Sequence, residues 1–333
     1  MRLATYNIEW MNSLFDDAGG LVNSAERASR YGVSTAEQTA ALTRVFNALD
    51  ADAVLVVEAP DEGSTRSTRV ALETFAEAAG IRARRALIGF ANGTQQEIAL
   101  LYDPDVLSAR HDPQEGAGAP RFDGRFAIDL DIDATADQVV FSKPPLELEV
   151  ETKQGFMMRM IGAHLKSKAP HGATNRDEVM RISIANRRKQ LAQAIWLRAR
   201  VDAVLESGNP LIVLGDLNDG PGLDEYEHLF GRSSVEIILG SGDTALFDPH
   251  AARALKARMG AAPTTARFWI RPEKRYLQAL LDYIMVSPDL CARDPQWRIW
   301  HPLDDPECWL DAGLREALVL ASDHFPVTVE VAI

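Results

Sequence analysis

Cysteine is scarce: Cys291 and Cys308 are the only two in 333 residues. That count excludes a disulfide-rich scaffold and a cysteine-built four-ligand zinc site. Long apolar runs are missing as well. No stretch approaches the roughly 18 uninterrupted apolar residues of a membrane-spanning helix. The opening MRLATYNIEW lacks the apolar core and small-residue cleavage pattern of a signal peptide. A cytoplasmic, monomeric protein with no membrane span is the expectation. Positive charge is also short, with 35 Lys and Arg against 48 Asp and Glu, a net charge of −13. Nonspecific wrapping of nucleic acid takes many Lys/Arg–phosphate contacts, so this balance argues against it. A local basic groove stays open. The same balance favours a bound cation wherever phosphate is handled, because both partners are negative.

What is present is a regular mixture of helix and strand signals, without repeats or low-complexity linkers. Strand-like apolar runs cover Leu3–Ile8, Ala53–Val57, Ala83–Ile88, Ile98–Tyr102, Leu146–Glu151, Phe156–Ala163, Leu211–Leu214, Leu281–Val286 and Pro326–Val331. Helical patterns cover Thr35–Leu49, Ser67–Ala79 with Gly80 as its stop, and about Asn175–Glu206. Pro113–Gly124 reads as a surface excursion. One α/β domain spanning residues 1–333 is expected, with two sheets possible because many segments pair as hairpins.

The chemistry-bearing residues sit where apolar runs stop. LGDLND ends the run Leu211–Leu214 in Asp216 and Asn218, followed by the turn formers Gly220-Pro221-Gly222. If the strand continued, period two would put Asp216 and Asn218 on one side. A plain turn is the alternative, since Asp, Asn and Gly favour turns for backbone reasons. Glu58 ends Leu55-Val56-Val57, Asn7 and Glu9 end the first strand, and His164 ends Ile161-Gly162-Ala163 just before Lys166 and Lys168. Asp282 starts another apolar strand, and Asp323-His324 opens the last one. In an extended segment, adjacent Asp323 and His324 face opposite ways and need separate neighbours. Each residue alone has an ordinary reading as a solvated strand end, a structural histidine or a surface lysine. Together they gather at strand termini, where ligand sites of α/β sheets lie. Carboxylate and amide oxygens favour Mg²⁺, Mn²⁺ or Ca²⁺ over zinc. Two histidines add acid–base capacity near neutral pH. That inventory suits phosphoester hydrolysis by an activated water.

TYNIEW, VVEAP, QEIALLYDP, GAHLKSK, GDLND, LDYIMVSP and SDHFPV occur in one order from residue 5 to residue 327. In that order they resemble the endonuclease/exonuclease/phosphatase superfamily with its deoxyribonuclease I-like fold, closest to the bacterial nuclease-like branch. The resemblance implies a four-layer α/β sandwich of two mainly antiparallel sheets packed face to face and flanked by helices. It implies Mg²⁺, with Mn²⁺ or Ca²⁺ as alternatives, held by Glu58 with Asn7 and Asp323. It further implies that Asp216 and Asn218 orient water and phosphate. His324 is implied as a catalytic histidine oriented by Asp282, and His164 as a second one with Glu97 as its carboxylate partner. Asn7, Lys143, Lys166 and Lys168 are implied around the substrate. Two departures stand out: Gln95 where some family nucleases carry Tyr, and Lys143 where they carry Arg. Lysine gives a point charge without the bidentate fork of arginine.

The expected function is therefore metal-dependent phosphodiester hydrolysis, with nucleic acid a candidate substrate. The alternatives are hydrolysis of a small-molecule or lipid-derived phosphate ester, and a catalytically silent binding module. Arg187, Arg188 and Lys189 read as a helix face of which at least two members are solvated. Phe268, Trp269, Trp297, Trp300, Trp309 and Phe325 cluster in the last third, where exposed rings would serve base stacking and burial is the common fate. His171, Arg176, His301, Asp304 and Asp305 are further candidates for the rim, each with a plain surface reading.

Overall fold

The computed structural model describes residues 1–30, 32–116, 118–129, 137–170, 172–220, 231–256, 262–270 and 274–333. In chain order the strands are β1 (Arg2–Asn7), β2 (Ala53–Ala59), β3 (Arg85–Ile88), β4 (Glu97–Tyr102), β5 (Leu107–His111), β6 (Phe126–Ile128), β7 (Asp137–Val139) and β8 (Leu146–Thr152). They continue with β9 (Met157–His164), β10 (Leu211–Asp216), β11 (Ala266–Ile270), β12 (Arg275–Ala279), β13 (Asp282–Val286), β14 (Gln296–Ile299) and β15 (Val327–Glu330). Among the described residues the longest helices flanking the sheets are α1 (Thr35–Leu49), α2 (Thr68–Ala79), α3 (Arg176–Glu206) and α4 (Ala312–Ala321).

The first sheet has the order β14-β15-β1-β2-β4-β3, and the second β13-β10-β9-β8-β5. Each contains one parallel pair, β1 with β2 and β9 with β10, and the other neighbours are antiparallel. Parallel neighbours need a crossover. Helix α1 supplies it in the first sheet and α3 in the second. A crossover returns the chain to the strand's starting edge, so the carboxyl ends of β1 and β2 lie side by side, as do those of β9 and β10.

Burial follows the two-residue alternation of a strand. Leu55 and Val57 of β2 face inward with Leu148, Met160, Ile212 and Ile284 of the second sheet. Val54 and Val56 face outward against Leu42 and Phe46 of α1, Phe75 of α2 and Leu318 of α4. The outer face of the second sheet, with Ile161, Val213 and Met285, packs on Trp196, Leu197 and Val201 of α3. The result is the four-layer order helix, sheet, sheet, helix. Truncating Phe75, fully buried in the first helical layer, would cost about 3–5 kcal/mol. The sheets approach closely at Gly162, where a Cβ would lie 2.4 Å from Leu55 Cδ1.

Helix ends follow the local chemistry. Ser34 Oγ accepts from Glu37 N while the Glu37 carboxylate accepts from Ser34 N, a capping box that starts α1. Asn175 caps α3, and Gly80, left-handed at φ 66°, ends α2. The observed helices begin one residue inside the expected Ser67 and Asn175, because those residues are the caps. The excursion Pro113–Gly124 is not merely superficial. Phe122 is fully buried, its ring lies 5.6 Å from that of Trp196, and Trp196 Nε1 donates to Pro120 O at 2.9 Å. Among the described residues no helix is long and apolar enough to cross a membrane.

Candidate active site

The carboxyl ends of the two parallel pairs meet at one pole. In the second sheet His164, Asp216 and Asp282 lie in register on three adjacent strands, Asp216 opposite His164 on β9 and Asp282 on β13. In the first sheet Asn7 ends β1 next to Val57, and Glu58 follows in a β-bulge of β2 between Val57 and Ala59. Glu58 has φ 60°, a strained value for a side chain other than glycine. The bulge re-aims a carboxylate that a regular strand would send elsewhere. The sheets are joined here directly: Asn7 Nδ2 donates to Asp216 Oδ2 at 3.0 Å.

Around Asp216 the distances are short. His164 Nε2 is 3.7 Å and His324 Nε2 4.0 Å from its Oδ2. Burial pushes the Asp216 carboxyl up to about 7. His324 Nδ1 lies 2.8 Å from Asp282 Oδ2, which also accepts from Thr265 Oγ1 at 2.7 Å. Burial works against charge on His324, but the Asp282 carboxylate, with help from Asp216, outweighs it and holds the ring well above the ordinary imidazole value. His164 behaves oppositely. Burial, with the Lys143 and His324 charges, holds its ring well below that value. The surroundings thus push the two rings in opposite directions, His324 toward the imidazolium and His164 toward the neutral form. Lys143 Nζ lies 3.4 Å from His164 Nε2. Burial lowers its pKa, opposed by Glu58 and Asp216.

A second group of carboxylates lies on the first-sheet side. Burial raises Glu58, with Glu9 adding repulsion. Burial likewise raises Asp323 to about 6, with repulsion from Glu9 and Glu58. Trp10 N donates to Glu58 Oε2 at 3.3 Å, and Arg30 pairs with Glu9. The side-chain amide oxygen of Asn7, Oδ1, is buried without a hydrogen-bond partner among the described residues. An orphaned amide oxygen beside mutually repelling carboxylates is a donor set suited to a hard cation. Asp216, Asp282 and His324 also present ligand atoms within 4.8 Å of one another, although the His324–Asp282 contact already occupies that histidine's Nδ1.

Asp323 and His324 face different neighbours, as adjacent extended residues must. Asn218 reaches Asp216 by a different route from the expected alternation. The strand stops at Asp216, Asn218 turns left-handed at φ 50°, and its N and Nδ2 donate back to Asp216 at 2.7 and 3.2 Å. Gly215 allows this geometry, because a Cβ there would stand 2.0 Å from Ala163 O. Lys166 is half-buried, and its charge is among those that lower His164.

Two expected partnerships are not found. Glu97 does not pair with His164. Its carboxylate accepts from Asn92 Nδ2 at 2.7 Å and from Asn92 N at 3.3 Å, while His164 Nδ1 has no partner among the described residues. Glu97 starts β4 opposite Ala59, and the Asn92 loop covers its carboxylate. Lys168 does not face a substrate position, because its Nζ donates to the fully buried Asp219 at 2.5 Å. Of Arg187, Arg188 and Lys189, at least two of which are expected on a solvated face, Arg187 is buried and donates to Asp219 at 2.9 Å. Arg188 is half-buried and Lys189 exposed.

Sequence reasoning missed the residues that hold the loops. Gln190 Nε2 donates to Lys166 O and Asn218 O, both at 2.9 Å. Gln193 accepts from Lys166 N at 2.9 Å and donates to Val140 O. With Arg187 these form a stripe at every third residue of α3, a spacing that was available as a signal. Ser322 Oγ donates to Asn7 O at 2.8 Å and accepts from Glu9 N and His324 N. Of the remaining candidates, His301 is buried, accepts from Leu303 N and Asp304 N, and meets the Phe325 ring edge-to-face. Asp305 binds Arg298, and Arg176 is the first residue of α3. His171 and the turn formers Pro221 and Gly222 lie outside the described residues. Among the aromatics, Trp300 and Phe325 are buried, Trp269 and Trp309 are exposed, and the Phe268 ring lies 5.4 Å from that of His324.

A cluster of carboxylates, histidines and lysine at the edge of two face-to-face sheets is the equipment of a hydrolase acting on an anionic ester. The sequence agrees: the Endonuclease/Exonuclease/phosphatase family model matches residues 4–324, and the chain belongs to that family. It is a hydrolase acting on phosphoester bonds. No curated protein matches it. Solved structures share the fold at low identity. TDP2 from Caenorhabditis elegans is 12% identical with a TM-score of 0.51, over 98% of this chain and 74% of that one. An endonuclease/exonuclease/phosphatase from Bacteroides vulgatus is 13% identical with a TM-score of 0.50, over 99% and 98%. D. rerio TDP2 complexed with single strand DNA product is 12% identical with a TM-score of 0.50, over 99% and 97%.

Proposed function

We propose that this protein is a divalent-metal-dependent phosphodiester hydrolase of nuclease type. The observation that carries this reading is the 3.0 Å contact from Asn7 to Asp216 across the two sheets. It joins the sheet end that carries Glu58, with Glu9 and Asp323 beside it, to the sheet end that carries His164 and Asp216, with His324 beside it. Glu58, Asn7 Oδ1 and Asp323 would hold Mg²⁺, with Mn²⁺ or Ca²⁺ as substitutes. When bound, the cation supplies Lewis-acid charge neutralisation at the phosphoryl oxygen. The protein's own groups do the rest. Asn218 and Asp216 orient a water in line with the ester bond, and Asp216, raised to about 7, accepts its proton near neutral pH. The His324 imidazolium, kept charged by Asp282, offsets the developing negative charge, as do Lys143 and Lys166. Neutral His164 donates a hydrogen bond to a phosphate oxygen.

A small-molecule or lipid-derived phosphate ester is the second reading. It is favoured by Lys143, whose point charge grips a polymer phosphate less specifically than an arginine fork. The test is a panel of plasmid DNA, an RNA oligonucleotide, bis-p-nitrophenyl phosphate and small phosphomonoesters with Mg²⁺, then EDTA, then Mg²⁺ or Mn²⁺ again. Diester cleavage that EDTA abolishes and metal restores is expected. Cleavage that persists in EDTA would refute the metal-dependent reading, and turnover confined to monoesters would establish the second.

A further inference from the structure

The β11–β12 hairpin is an anomaly in an acidic chain. Residues 264–279, TTARFWIRPEKRYLQA, carry four cations (Arg267, Arg271, Lys274 and Arg275) and one acid (Glu273), whereas the whole chain has a net charge of −13. The same segment exposes large rings. Trp269 and Tyr276 are 49% and 50% exposed, and they are register partners across the hairpin. Their ring centroids are 5.0 Å apart, and the Arg267 guanidinium lies over the Tyr276 ring at 3.9 Å. Arg267 Nε has no hydrogen-bond partner among the described residues. Exposing two large rings and a basic cluster together forgoes the burial that normally stabilises such side chains.

The hairpin is anchored to the candidate active site. Ala266 bridges to His324, Arg267 N donates to Asp323 O at 2.7 Å, and Thr265 binds the carboxylate of Asp282. Alternation along the strands puts Phe268 and its partner Leu277 on one face and Arg267, Trp269 and Tyr276 on the other. The Phe268 face meets His324. The aromatic face therefore serves a part of the substrate that has passed the edge of the hairpin, not the scissile phosphate itself.

We propose that the β11–β12 hairpin is a docking arm for single-stranded nucleic acid, with an unpaired base flanking the scissile nucleotide stacked on Trp269 and Tyr276, and its phosphates met by Arg267 and Lys274. Unpaired bases fit because every base offers a π-face, whereas duplex bases are already stacked. The cations select a polyanion over a quaternary ammonium headgroup. The inference rests on the phosphodiester reading for the position of the scissile phosphate.

Fluorescence anisotropy of the full-length chain in EDTA tests it. The probes are labelled oligothymidine, a duplex of equal length, and a base-free sugar-phosphate oligomer. Oligothymidine should bind more tightly than the duplex, and W269A/Y276A should weaken it by about 10- to 100-fold. The loss on the base-free oligomer should be at least several-fold smaller. K274E should flatten the salt dependence. If W269A/Y276A does not fold by circular dichroism, W269F should fold and keep most of the binding. Equal losses on the base-carrying and base-free oligomers would overturn the proposal, as would preference for the duplex, or binding to anionic vesicles in place of oligonucleotide. Failure of the two readings is separable. This binding pattern without any metal-dependent turnover leaves the arm standing and removes the metal-dependent phosphodiester reading, and turnover of bis-p-nitrophenyl phosphate without the pattern does the reverse.

Discussion

The two sheets end differently at the same pole. The first sheet ends in oxygens: Asn7 and Glu58, with Glu9 and Asp323 beside them, repelling one another and leaving an amide oxygen unsatisfied. The second sheet ends in His164, Asp216 and Asp282, to which Lys143 and His324 add positive charge. Both ends come from the same device, a parallel strand pair closed by a helix. The lesson is that topology sets where the groups go, and the residue types then divide the work between holding a cation and handling water and phosphate.

The largest expected effects separate those halves. E58Q should lower kcat/KM on bis-p-nitrophenyl phosphate by about three orders of magnitude, the size of several kcal/mol of lost charge stabilisation, and raise the Mg²⁺ concentration for half-maximal rate. H324A should lower kcat by about 10²–10⁴-fold while leaving the Mg²⁺ midpoint in place. If both variants moved the midpoint equally, the division would be wrong. Next in size is stability on the second-sheet side. R187M leaves the buried Asp219 without one of its cationic partners and should cost about 3–5 kcal/mol in urea unfolding. R44M breaks an exposed pair with Asp311 and should cost less than about 1 kcal/mol. Equal costs would mean that the Asp219 cluster is no more than a surface contact.

The smallest effect is expected at Glu97. Its partner is Asn92 rather than His164, so E97Q should keep kcat within roughly twofold. Burial raises the Glu97 carboxyl from 4.5 to about 7. Its protonated form therefore favours the folded state. That stability is fully present below about pH 4.5 and is lost as the pH rises through about 7. E97Q should flatten that part of the stability-versus-pH curve, measured by urea midpoints. A large loss of kcat instead would restore Glu97 to the histidine.

Much of this site was legible in the sequence. Apolar runs that stop at Asn7, Glu58, His164, Asp216 and Asp323-His324 mark strand ends, and motif order carries the fold. The bulge at Glu58 was not legible, because it arises from pairing β2 with β4 and leaves no mark on VVEAP. Lys168 was misread, and the burial of Arg187 was not legible, for a related reason. Charge near a strand end or on a helix reads as facing water or substrate, and only the packing of α3 over the GDLND loop reveals Asp219 as their buried counter-ion. Gln190 and Gln193 look like ordinary helix polars until the carbonyls they meet are in place.

The account's central claim is that groups from both sheets converge on one cation-assisted site. Anomalous diffraction from crystals soaked in Mn²⁺ tests it most directly. The claim predicts a peak bound by Glu58 and the side-chain Oδ1 of Asn7. A peak held instead by Asp216, Asp282 and His324, or none near Glu58 in an enzyme that Mn²⁺ activates, would contradict it.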